Sequence, residues 1–79
     1  MEGVVNLKMR AWALVAEGRH TEAQRVWLAA AQEEIAQLLV EPSESGFGEV
    51  LACIILARRP LIGKEKVRKQ VHKLMTAKS

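Results

Sequence analysis

Few side chains in this chain are able to make or break bonds: one cysteine (Cys53), two histidines (His20, His72) and nine glutamates, with no aspartate and no tyrosine. A metal site needs ligands that converge, and His20, His72 and Cys53 lie on three separate stretches with no ligand spacing between them. A nucleophilic cysteine needs an adjacent base in an electropositive, partly open setting. Cys53 sits instead inside the longest apolar run, Val50 to Ala57, and reads as a buried structural thiol. Glu33 and Glu34 are sequence neighbours, and adjacent helix positions do not face each other, so they make no acid–base pair. Gly46-Phe47-Gly48 lacks the lysine of a phosphate-cradling loop and reads as a turn. A single cysteine excludes a disulfide framework and multi-cysteine zinc patterns. No catalytic residue, metal, cofactor or small-molecule substrate is implied, and the chain is not expected to be an enzyme.

Charge offers the alternative chemistry. The formal net charge of +3 divides unevenly. Up to Ala57, four cations (Lys8, Arg10, Arg19, Arg25) face eight glutamates; from Arg58 onward, eight cations face only Glu65. The first part is thus at −4 and the second at +7. Lysines and arginines along a helix can neutralise phosphates, giving salt-dependent and mainly sequence-independent affinity. Arg58, Arg59, Lys64, Lys66, Arg68, Lys69 and Lys73 are the candidate nucleic-acid contacts, DNA being the possible partner. The plainer reading is a solvated helix face that keeps a small domain soluble. A sequence-reading helix-turn-helix fits less well: Leu61 stands where a tight-turn glycine belongs, and Gln70 falls at a core position.

These residues must be positioned by helices. Val4, Leu7, Ala11, Leu14 and Val15 form one stripe at helical spacing, and Val5, Met9, Trp12 and Ala16 form a second. A first helix over 4–17 with two apolar stripes needs two neighbours. Gly18 supplies its stop. Thr21-Glu22-Ala23-Gln24 fits a capping box for a second helix, running to about Leu39. Ala23, Val26, Trp27 and Ala30 lie on one face, which Leu28, Ala31, Ile35, Leu38 and Leu39 widen. The short link Gly18–His20 demands an antiparallel hairpin.

Residues 40–48 read as a loop, with Pro42, two serines and two glycines. A third helix over 48–59 is apolar nearly all round, which marks a buried helix. A 79-residue chain has difficulty covering such a helix on every side. A homodimer or a protein partner is therefore expected, with Trp12, Trp27, Leu51, Ile54 and Ile55 as candidate contacts; wrapping by the chain's own helices is the alternative. Pro60 ends that helix, Leu61 and Ile62 are expected in the core, and Gly63 permits a turn. The last helix, 64–77, sets Val67, Val71, Leu74 and Met75 against Arg68, Lys69, His72 and Lys73. The expected fold class is all-α, a compact four-helix domain made of two hairpins, as one domain over 1–79. The Met-Glu-Gly start has no basic segment before an apolar run, and no stretch is long enough to span a bilayer. A cytoplasmic location is expected.

Ala11 to Ala30 carries a familiar spacing: Leu14, Gly18, Ala23, Trp27 and Ala30 reproduce L-x3-G-x4-A-x3-W-x2-A. This resembles a single tetratricopeptide-type helical hairpin, in which alanine and an aromatic hold two antiparallel helices close. It is also similar to the PerC-like and ANR (AraC negative regulator) families of small enterobacterial regulators, through Leu14, Gly18, Ala23 and Trp27. In those families an Arg-rich segment ending near a cysteine follows soon after the tryptophan; here Arg58-Arg59 come much later and Cys53 precedes them. The regulator resemblance implies a protein that binds a transcription factor or assists at promoters without catalysis. The tetratricopeptide resemblance implies an adaptor or chaperone that binds protein and no nucleic acid.

Overall fold

Helix α1, Val4–Ala16, ends where glycine allows the chain to turn left-handed. In the computed structural model, which describes residues 3–77, Gly18 has φ +80. The Arg19 N–H donates to the Leu14 carbonyl at 2.9 Å and the Gly18 N–H to Val15 at 3.0 Å. This paired closure satisfies carbonyls that the helix end would otherwise leave open. Helix α2, His20–Val40, begins at once, with Arg19 as its N-cap and no side-chain cap. The capping box expected at Thr21 is therefore not formed: the turn is so short that Thr21 already lies inside the helix. Arg19 instead clasps Glu22, with Nε and Nη2 at 2.7 and 2.6 Å from its two carboxylate oxygens.

The expected loop over 40–48 is mostly helix. Only Glu41–Ser43 connects α2 to α3, Glu44–Arg58. Ser43 accepts from the Gly46 N–H at 2.9 Å and caps the new helix, while Glu44 sits favourably in its first turn. The glycines that read as loop residues are there for close packing. A Cβ on Gly46 would lie 3.0 Å from Leu38 Cδ1, and one on Gly48 would lie 3.3 Å from Met75 Sδ. Helix α4, Lys64–Thr76, follows a turn through Pro60.

Four helices and no strand make up the described residues. Each helix packs on the next in the chain, most extensively α2 on α3, and α1 and α4 do not pack against each other. The two expected hairpins are therefore joined by the α2–α3 contact as the centre of the fold. The result is a flat molecule, 39 × 29 × 14 Å across its Cα atoms. Its core runs from Leu7, Ala11 and Leu14 through Ala23, Trp27, Ala30 and Ala31 to Cys53, Leu56, Ala57 and Val67.

Flatness leaves much of the expected core uncovered. Val5 and Met9 of the second α1 stripe are exposed, because α1 packs closely only on α2 and no helix covers its far side. Leu28, Ile35 and Leu39 of the wide α2 face are exposed, as are Leu61 and Leu74. Ile62, in contrast, packs against the core as expected. No helix among the described residues is long and apolar enough to cross a membrane. The Met1-Glu2 start and Lys78 lie outside the described residues.

The two caps predict different stabilities. Ser43→Ala removes a formed cap and should cost about 0.5–2 kcal/mol, lowering the melting temperature by several degrees in a domain of this size. Thr21→Ala, at an exposed position inside the helix, should stay within about 0.5 kcal/mol of the parent. Thermal melts followed by circular dichroism separate the two.

Candidate functional site

A groove of about 390 Å³ opens between α1, α3 and α4. Its floor is α3, through Gly48, Ala52, Cys53 and Leu56. Lys8 and Trp12 of α1 form one wall; Lys64, Val67, Arg68 and Val71 of α4 form the other. It exists because both flanking helices stand beside α3 with no close backbone approach between them.

The α1 wall is held by charge. Glu34 is buried on α2, where an unpaired carboxylate would be costly. Lys8 Nζ lies 3.3 Å from its Oε1 and also donates to Glu49 on α3. One cation thus ties α1 to both central helices. Burial pushes the Lys8 pKa down, but the hydrogen bond and charge of Glu49, with the charges of Cys53 and Glu34, outweigh it and the net shift is upward. Cys53 lies in the same environment. Burial raises its thiol pKa; Lys8 opposes this, Glu34 and Glu49 add to it, and the value is about 11. A thiol held that high is protonated at neutral pH.

The aromatic end of the groove rests on Trp27, only 1% exposed. Its ring meets that of Trp12 edge to face, with centroids 5.1 Å apart. The Trp27 indole N–H is buried without an acceptor among the described residues. Lys64 Nζ stands 5.0 Å from the Trp12 ring centroid, a cation–π distance, and this contact brings the first turn of α4 to the α1 wall.

The structure sorts the candidate residues differently from the sequence. Arg58, Arg59, Lys64, Lys66, Arg68, Lys69 and Lys73 are all exposed, but they do not form one surface. Lys64 and Arg68 edge the groove. Arg59 and Lys66 edge a separate depression of about 370 Å³ with His20, Pro60, Leu61 and Ile62. Helical spacing sets Lys69 and Lys73 with Lys66, on the outer side of α4. Of the candidate partner contacts, Trp27 is removed from the surface by its burial and is corrected to a core residue. Ile55 also packs against the core. Trp12 and Leu51 are half-buried, and only Ile54 is exposed.

Lys8, Glu34 and Glu49 were missed. The signal was present: Glu34 falls four residues after Ala30 and seven after Trp27, interrupting the apolar stripe where a leucine would be expected. A charge in that position has to find a partner on the helix packed against it.

The fold and groove define a compact all-α domain of four helices with an apolar, cation-edged cleft. Compared with known proteins, the chain matches no family model, no curated protein and no solved structure.

Two measurements check this charge arrangement. Lys8→Met leaves Glu34 buried without its cation and should destabilise by about 1–3 kcal/mol, more than Arg19→Met at the exposed Glu22 pair. Stability should also fall on the alkaline side. The folded Cys53 pKa lies above that of the unfolded thiol, so stability is full below about pH 8.5–9 and declines as pH rises toward 11. The raised Lys8 pKa has the same sign and acts in a higher range: its stabilisation is full below about pH 10.4 and is lost above the folded value. Cys53→Ala should remove the earlier decline in a pH series of melts and leave the later one.

Proposed function

We propose that this chain is a small non-enzymatic regulator that works by binding: a protein partner through its apolar surface, and nucleic acid through the cations of the α3–α4 corner and α4. The observation that carries the nucleic-acid half is the way charge is used. In the N-terminal part, Lys8 is paired with Glu34 and Glu49, and Arg19 with Glu17 and Glu22. Among the described residues, none of Arg58, Arg59, Lys64, Lys66, Arg68, Lys69 and Lys73 has a carboxylate partner. Cations held exposed and unpaired on one end of a small domain create a local positive field suited to a polyanion. Because they stand on two sides of α4 and at its preceding corner, the contact is to phosphates and carries little base-specific information. Transcriptional regulation is the role this combination suits, in keeping with the regulator resemblance of residues 11–30.

A second reading, an adaptor of tetratricopeptide type, is favoured by the groove. Ala23 and Trp27 of the matching spacing are buried together, and the cleft between Trp12, Lys64 and Arg68 has the chemistry to take an acidic, partly apolar peptide segment.

Duplex DNA binding measured over a salt series tests the first reading. Log affinity should fall steeply with log salt, and Lys66→Gln, Lys69→Gln and Lys73→Gln should each reduce the slope by about 0.9 while the helical signal is unchanged. Absence of binding at low salt would overturn it. Loss of binding to an acidic peptide in Lys64→Gln and Arg68→Gln, with no DNA affinity in the parent, would establish the adaptor instead.

A further inference from the structure

We propose that the outer face of the α2–α3 pair is the seat of a second copy of this chain, giving a two-fold dimer in which the two α3 helices run antiparallel across Leu51. This deepens the protein-binding half of the proposed function by naming the face and the occupant. Its test uses no nucleic acid, so its failure and that of the DNA reading are distinguishable.

The face is defined by helix rotation. At about 100° per residue, Leu28, Ile35 and Leu39 lie on the side of α2 turned away from Ala23 and Ala30, which pack toward α1. The same rotation sets Phe47 and Ile54 on the side of α3 turned away from Gly48, which meets α4, and from Glu49, which reaches Lys8 on α1. The three-residue link and the close approach of Leu38 to Gly46 align the two helices antiparallel. These apolar side chains therefore join into one patch on the back of the flat molecule. Their exposures are 52% for Leu28, 40% for Ile35, 80% for Leu39, 48% for Phe47 and 37% for Ile54.

That amounts to on the order of 500 Å² of apolar surface, at the upper end of what a monomer exposes in one patch. A standard interface takes about 800 Å² per partner with its polar rim included. Gln32 and Thr21 interrupt the patch without charge, and Arg25, Glu44 and Arg58 stand at its edges. An uncharged apolar centre with charge at the rim is the anatomy of an association surface.

The choice of a second copy rests on charge complementarity along α3. Glu44 in its first turn and Arg58 in its last each stand seven residues from Leu51, on the same face. A two-fold axis at Leu51 sets Glu44 of one copy opposite Arg58 of the other, twice per dimer. It also seats Phe47 against Ile54 of the second copy. A self-complementary patch of this kind closes on itself and stops at two copies.

Sedimentation equilibrium of the full chain tests the proposal. The parent should be a dimer at micromolar concentration. Phe47→Glu and Ile54→Glu should each weaken the dimer by roughly 100-fold or more, with circular dichroism showing the helices intact. Glu44→Arg or Arg58→Glu alone should weaken it by roughly 3- to 10-fold, and the two together should restore it. A parent that stays monomeric at hundreds of micromolar overturns the proposal and hands the face to another occupant. A dimer indifferent to Ile54→Glu overturns the face, and one indifferent to either charge reversal overturns the antiparallel register.

Discussion

A tryptophan buried among alanines is the constraint on which the rest of this fold depends. Trp27 is 1% exposed, and Ala11, Ala23 and Ala30 in the same cluster are not exposed at all. Small residues around one large ring allow α1 to approach α2 closely and bring their apolar stripes into register. Among the described residues, Cys53 is the one other larger side chain so fully withdrawn from solvent. A domain of this length has room for little more than one such centre. Ala31, Cys53 and Leu56 then extend the same cluster onto α3, which is why the α2–α3 contact is the most extensive one.

A core built around one ring makes a thin molecule. With each helix packed on its neighbour in sequence, α1 and α4 are free to stand on either side of α3 and form the walls of the groove. The Lys8–Glu34–Glu49 arrangement and the Lys64–Trp12 contact link these walls to the centre at points where apolar packing is sparse. Buried ion pairs of this kind add little net stability over an apolar replacement. Their value here lies in fixing where α1 sits, since Glu34 is satisfied in one register and unsatisfied in its neighbours.

The chain's division of charge has a structural meaning as well. Lys8 and Arg19 are engaged by glutamates, whereas among the described residues Arg58, Arg59, Lys64, Lys66, Arg68, Lys69 and Lys73 are exposed without a carboxylate partner. The net charge of +3 is therefore the sum of an N-terminal part at −4, in which Lys8 and Arg19 are paired, and a C-terminal part at +7. Two surfaces of different chemistry adjoin at Arg58: an apolar back across α2 and α3, and a cationic edge along α4 and its preceding corner.

Much of this was legible in the sequence, because helices are local. Periodic apolar residues, Gly18 as a stop, Pro60 as a break and the displacement of positive charge to the end each act through a few neighbouring residues. So does the burial of Cys53, which lies within the longest apolar run. Tertiary structure decided what periodicity leaves open. A stripe announces that a helix face is apolar but says nothing of whether a neighbour exists to cover it. Ala23 and Trp27 found one, while Leu28, Ile35 and Leu39, about a third of a turn away, did not. Likewise Gly46 and Gly48 have loop-like propensity, yet stand in a helix because Ser43 caps it and Leu38 and Met75 pack where a side chain would have been. The partner of Glu34 was beyond reach of local reasoning for the same physical reason: Lys8 meets both Glu34 and Glu49 across three helices, and only their packing brings those charges together.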